Sequence, residues 1–259
     1  MRDGQSSSLL QLYLAEARSF AREPIAMFFT FLFPLLLVLF TGAAFGTEAA
    51  YAPDEPDSPF PNLRTIDLFI PSMFGIAAAN LGLMGLPAVF AGYRETGLLR
   101  RFRVTPLSLR TLFAAHSLVQ FTMLVATSIV LIAVAWPIWG LRFPGAVGPM
   151  LVAFLAGAIL MLSLGFMISG VVRTARQAQA IGAAVFFPSL FLSGATLPLA
   201  FMPPWLRGVS EALPLNPMND ILMKTWAGHS MNSLFWNYFT VACFVGVSLL
   251  LIRSTFRWE

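Results

Sequence analysis

Lysine occurs once in this 259-residue chain, at Lys224, and cysteine once, at Cys243. The lysine scarcity removes one class of chemistry. A phosphate-binding Walker loop needs Gly-Lys-Ser/Thr, whose lysine reaches the nucleotide phosphates, and Lys224 follows Met223 instead. No ATP or Mg site is therefore expected on this chain. A single cysteine excludes an internal disulfide, and Cys243 lies in an apolar run, where a thiol packs like a small hydrophobe. Charged residues make up only 11% of the chain, where an average soluble domain has about 25%. No Asp, Glu, Lys or Arg falls inside a long apolar run, so the intramembrane relays of proton- and ion-coupled transporters are missing. His116 and His229 lack metal-ligand spacing, and no metal is expected. His116 reads as a packing or interfacial histidine. No Ser/His/Asp or Glu-rich constellation points to an enzyme.

What is abundant is apolar sequence, at 58%. Uninterrupted apolar runs recur that can cross roughly 30 Å of hydrocarbon. A β-barrel would alternate apolar and polar residues instead. The expected fold is an all-α membrane protein, one transmembrane domain over 1–259, with six spans at 25–46, 68–91, 111–136, 148–171, 180–198 and 233–252. The first run exceeds a signal-peptide core and reads as a retained span. The pI near 9.8 does not imply nucleic acid, because the positive charge is divided among short loops.

The division has a direction. With both termini inside, the inner segments carry 12 basic residues: Arg2, Arg18, Arg22, Arg94, Arg100, Arg101, Arg103, Arg110, Arg173, Arg176, Arg253 and Arg257. The outer segments carry 4: Arg64, Arg142, Arg207 and Lys224. The positive-inside rule then puts both termini in the cytoplasm. In a Cys243→Ser background, cysteines at Ser58 and Ser230 should react with an impermeant thiol reagent in intact cells, and one at Ser108 should not. Labelling at Ser108 with silence at Ser58 reverses the topology.

Residues 6–23 predict a helix that lies along the inner membrane surface. Ser6, Ser7 and Ser8 can cap its start. Leu9, Leu10, Tyr13, Leu14, Ala17 and Phe20 form an apolar face opposite Gln11, Arg18, Ser19 and Arg22. A soluble helix packed on a partner is the competing reading. Pro24 then turns the chain into the first span. The acidic, proline-rich stretch 47–66 reads as a solvated connector. Residues 199–232 are apolar but broken by Pro203, Pro204, Pro214 and Pro217, which predicts short re-entrant or interfacial helices, with Trp205 and Trp226 at headgroup level.

The segment 93–106, after Gly92 ends the second span, is too polar for lipid and too patterned for a passive linker. Leu98, Leu99 and Phe102 share a helical face, Glu95 suits a helix start, and Pro106 is a stop. Glu95 is the only acid between Gly92 and Arg110, among five arginines. A short amphipathic helix of this kind can dock in a groove of a cytosolic protein. The competing reading is a set of arginines that only fix topology, which suffices for Arg110 but not for Glu95 and Gly97.

Here the chain resembles the permease subunits of bacterial ABC exporters of drugs, lipids and polysaccharides, over nearly its whole length. Arg94-Glu95-Thr96-Gly97, then Arg100, Arg101 and Thr105-Pro106-Leu107, looks like the coupling helix of that family. Leu192-Ser193-Gly194 through Pro198-Leu199, then Met202-Pro203-Pro204-Trp205-Leu206 and Leu215-Asn216-Pro217, is similar to the segment where the fifth span breaks into outer helices. Ile70-Pro71, entering the second span, is a weaker match. The resemblance implies two permeases paired as a dimer of identical or paralogous chains. It also implies two separate cytosolic ABC ATPase subunits that bind ATP and Mg, and a place in a bacterial inner membrane. Arg94, Glu95, Gly97, Leu98, Arg100, Arg101 and Phe102 are the ATPase-coupling candidates. Asn80, Met84, Phe186, Phe187 and Phe191 are the candidates for a substrate path near the second and fifth spans, against a helix–helix hydrogen bond for Asn80 and simple packing or lipid contact for the phenylalanines. A hydrophobic drug or lipid is the expected substrate, because no aromatic stripe marks a sugar path. A lipid-linked polysaccharide, a membrane-embedded lipid-modifying enzyme and a passive channel are the alternatives.

Overall fold

The computed structural model describes residues 2–49, 63–98, 109–143, 146–194 and 202–255. Among these, all regular structure is helical, apart from an isolated bridge between Ala49 and Arg64. We number the helices α1 (Arg2–Ala21), α2 (Pro24–Phe45), α3 (Thr65–Glu95), α4 (Leu109–Trp139), α5 (Val147–Val171), α6 (Ala175–Leu192), α7 (Pro204–Glu211), α8 (Leu215–Trp226) and α9 (Phe235–Thr255). Five of the expected spans are long and apolar enough to cross a membrane: α2, α3, α4, α5 and Met231–Arg253. The remaining expected span, 180–198, overlaps α6 in part; α6 is not among the five helices long and apolar enough to cross, and its first turns carry Arg176, Gln177 and Gln179. Residues 195–201, which include its expected last turn, lie outside the described residues.

The second span is longer than expected. Helix α3 runs through Gly92 to Glu95, and the chain turns at Gly97, whose φ is +67°. A Cβ at Gly97 would meet nothing within 4 Å. The glycine is therefore there to adopt a left-handed turn, which β-carbons disfavour, and not to admit a close neighbour. Helix α1 starts at Arg2, so Ser6–Ser8 lie within it and not at its start.

Helices α2 and α3 each widen to a π-helical segment, Phe28–Leu32 and Asn80–Gly85. Each precedes a proline, Pro34 and Pro87. A proline offers no N–H to the carbonyl four residues back and clashes with it. The wider turn moves that carbonyl aside, and the preceding residue bonds five back: Phe33 N–H to Phe28 O, Leu86 N–H to Leu81 O. The carbonyl freed by Pro34, that of Thr30, accepts the Thr127 hydroxyl of α4 at 3.2 Å.

Helix α3 is the central element. Ile66, Ile70, Met73, Ile76, Leu83, Leu86 and Phe90 are fully buried along it. Its π-helical segment lies against two glycine-bearing helices. A Cβ on Gly165 of α5 would sit 2.1 Å from the Gly82 carbonyl oxygen, and one on Gly182 of α6 would sit 2.3 Å from that of Leu83. Lipid offers no hydrophobic drive for helix association, so close backbone approach through small residues carries the packing. Helix α8 inserts against α3 and α5 and buries Leu215, Met218, Asn219, Leu222 and Trp226. Trp226, expected at headgroup level, is thus a core residue beside Phe74, with ring centroids 6.1 Å apart. Trp205 of α7 is exposed.

Candidate functional site

The end of α3 that leads into the expected coupling helix grips three other elements through three consecutive side chains. The Tyr93 hydroxyl donates to Glu16 Oε1 of α1. Arg94 Nη1 donates to the carbonyls of Ser169 and, at 2.8 Å, Val172, at the end of α5. Glu95 Oε1 accepts the backbone N–H of Ala175, the first residue of α6, at 3.1 Å. Helix geometry explains the spread: successive residues project about 100° apart, so three neighbours face three directions. The Thr96 hydroxyl closes back on the Gly92 carbonyl at 2.9 Å, and Gly97 turns the chain away. Leu98, the last residue described before 109, is half-buried. Arg100, Arg101 and Phe102, the remaining coupling candidates, and Pro106 lie outside the described residues.

The five path candidates do not form one surface. Asn80 is buried at the first position of the π-helical segment, and Met84 is half-buried further along it. Phe186 is buried in the core, while Phe187 and Phe191 are exposed. An apolar groove of about 250 Å³ lies between α5, α6 and α9, lined by Met167, Ile168, Val171, Val172, Ile181 and Leu251. None of the five candidates lines it.

Sequence reasoning missed a buried polar cluster behind Tyr93. Glu16 Oε2 lies 3.4 Å from His116 Nδ1, within ion-pair reach but without hydrogen-bond geometry. Gln120 Nε2 lies 3.5 Å from His116 Nε2. Phe90 packs edge-on against the imidazole. Burial opposes ionisation of Glu16, but the contacts from His116 and Tyr93 outweigh it and hold the carboxyl below the usual carboxylate range. The signal was present: Tyr13, Glu16 and Phe20 share one helical face, and an acid there needs a partner. The face that α1 turns to the bundle is this one, and Tyr13 donates to Thr122 of α4 at 3.2 Å. Leu10 and Leu14 are exposed.

At the opposite end of α3, Asp67 is fully buried. It accepts Arg64 Nε and Nη2 at 3.0 Å and the Arg142 N–H at 3.0 Å. Asp67 lies one residue before the expected second span, in the first turn of the longer helix α3. Near the end of α6, Asn219 Nδ2 donates to Ser193 Oγ at 3.0 Å, Asn216 Nδ2 donates to Ser210 Oγ at 2.6 Å, and Ser210 Oγ donates to the Leu192 carbonyl. The Ser193 and Asn216 of the second sequence motif thus tie α6, α7 and α8 together.

Comparison with known proteins agrees with this architecture. Residues 7–226 match the ABC-2 type transporter family. The chain is 30% identical over 182 residues to YbhR of Escherichia coli K12, named as a probable multidrug ABC transporter permease, covering 68% of this chain and 48% of that protein. It is 28% identical over 236 residues to a Pyropia yezoensis protein named as transport permease ycf38, covering 88% of this chain and 74% of that one. It is 27% identical over 170 residues to ABC transporter G family member 20 of Dictyostelium discoideum, covering 63% and 23%. The chain spans about half the length of the Escherichia coli relative. With several apolar helices able to cross a membrane and a family match over most of its length, the chain is a multi-pass membrane protein that belongs to the ABC-2 type transporter family.

Proposed function

We propose that this chain is the membrane-spanning permease subunit of an ATP-driven exporter. In this reading α6 completes six spans, α1 lies along the cytoplasmic membrane surface, and both termini are cytoplasmic in a bacterial inner membrane. Two permeases pair, and separate ATPase subunits bind ATP and Mg and dock against the segment after Gly97. The observation that carries the reading is the end of α3. Tyr93, Arg94 and Glu95 are held by α1, α5 and α6, and the chain then turns at a left-handed glycine, just before the arginine-rich part of its sequence. A displacement applied there reaches the bundle directly. The exposed apolar residues Ile25, Phe28, Leu32, Leu36 and Phe40 of α2 suit lipid or a second permease. A hydrophobic drug or lipid is the favoured substrate, in keeping with the multidrug name of the Escherichia coli relative. Phe187 and Phe191, exposed on α6, and Asn80 and Met84 on α3 remain the path candidates, with Phe186 supporting α6 from the core.

The test is biochemical. The purified chain alone should neither bind nor hydrolyse ATP, and co-expressed with its ATPase it should carry that subunit through purification and embed it in a hydrolysing complex. Specific hydrolysis by the chain alone, surviving removal of contaminating ATPases, removes the subunit reading.

A further inference from the structure

We infer that Arg94 and Glu95 are positioning residues that transmit motion from the coupling segment to α6, by clasping both helix ends at the α5–α6 turn, and that Glu95 does this in place of a direct contact with the ATPase. The inference rests on the permease-subunit reading and adds where within the chain the displacement goes.

The clasp follows from the charges. A helix leaves its last carbonyls and first N–H groups without partners inside the helix, with negative and positive partial charge respectively. Helix α5 ends and α6 begins within a few residues, so both kinds of end face α3 together. Arg94 brings its positive guanidinium to the carbonyls of Ser169 and Val172, and Glu95 brings its negative carboxylate to the N–H of Ala175. Two consecutive residues of opposite sign thus match two neighbouring helix ends of opposite polarity. The turn is itself stiff. Thr174 Oγ1 accepts the Gln177 N–H at 3.1 Å, and Gln177 Oε1 accepts the Arg173 N–H at 3.1 Å. Helix α6 therefore moves as a unit with its first turn. Higher up, Gly182 lies against the Leu83 carbonyl, so α6 meets the backbone of α3 at a second level as well. Tyr93 adds α1 to the same node through Glu16.

The experiment uses the full chain co-purified with its ATPase. Hydrogen exchange of the amides from Ala175 to Gln179 is followed with and without ATP plus vanadate. In Glu95→Ala, ATPase recovery should stay within about twofold of wild type, while exchange over this stretch rises about fivefold, the factor expected for one lost helix cap. The nucleotide-dependent change seen in wild type should vanish. Glu95→Gln, whose amide oxygen still accepts, should keep most of the protection. Tyr93→Phe should loosen α1 and leave α6 exchange as in wild type. Two results overturn the clasp: Glu95→Ala losing the ATPase with α6 exchange unchanged, which makes Glu95 a docking contact, or the nucleotide response of α6 surviving in Glu95→Ala. A wild-type chain that recovers no ATPase fails differently, since it removes the subunit reading itself.

Discussion

Gly165→Val should leave a bundle that unfolds at much lower temperature, because the new side chain has nowhere to go. A Cβ at Gly165 would lie 2.1 Å from the carbonyl oxygen of Gly82, and one at Gly82 would lie 2.4 Å from that of Met161. Both obstacles are backbone, so no rotamer change relieves them. The helices must separate, which also breaks the neighbouring contacts of Ile168, Leu164 and Leu83 in the same core. Overpacking typically costs about 1–3 kcal/mol, and the upper end applies where backbone meets backbone. At about 3 kcal/mol, the fall in Tm would be roughly 6–12 °C for a chain of this size. The control is Gly246→Val in α9, where a Cβ would meet nothing within 4 Å. Thermal unfolding in detergent, followed by size-exclusion fluorescence, makes the comparison. Equal Tm values for the two variants would mean that α3 and α5 are not in close contact.

Removing the Asp67 carboxylate should have a comparable or larger effect. This group joins the start of α3 to the end of α4. It accepts two bonds from the Arg64 guanidinium, which in turn donates to the carbonyls of Trp139 at 2.7 Å and Gly140 at 2.8 Å. It also accepts the Arg142 N–H at 3.0 Å. Asp67→Ala removes the counter-ion of Arg64, leaving its guanidinium only the two carbonyls, and takes away the carboxylate that the Arg142 N–H reaches, in a site closed to solvent on the Asp67 side. Breaking a buried pair from one side costs about 3–5 kcal/mol. Asp67→Asn should fall between wild type and alanine, because its amide presents N–H groups to a guanidinium that has no acceptor of its own. The same thermal measurement applies. A loss below about 0.5 kcal/mol for Asp67→Ala, the scale of an ordinary surface change, would show that Arg64 holds the two helix ends through the carbonyls alone.

The two results test different kinds of information. The class of fold was legible because hydrocarbon imposes one rule on every residue of a span: apolar side chains and internally satisfied backbone. That rule is local, so composition and run length suffice to find α2, α3, α4, α5 and α9. At Gly97 the sequence allows either a close backbone approach or a turn, and only the backbone angle of +67° decides for the turn. Helix ends were less legible than the spans. Gly92 resembled a terminus, but nothing in an apolar environment stops a helix at a glycine when its carbonyls still find partners four residues on.

The partners of the polar residues could not be read from their own neighbourhoods. Glu95 faces α6, 80 positions away; Tyr93 faces Glu16, 77 positions away; Asp67 reaches Arg142, 75 positions away. Sequence spacing predicts contacts within one helix, where three or four residues make a turn, and is silent on which helix stands beside which. Thus Glu95 read as part of a helix docking on a cytosolic protein, and its acceptance of the first N–H of α6 could not be foreseen. Trp226 read as an interfacial anchor, while α8 folds inward and buries it. The chain's apolar runs and its arginine-rich segment were legible from chemistry that each carries within itself. Which helix ends meet at Tyr93-Arg94-Glu95, and which glycines let α3 approach α5 and α6, was decided only by packing, because those choices depend on backbone surfaces that exist once the helices are side by side.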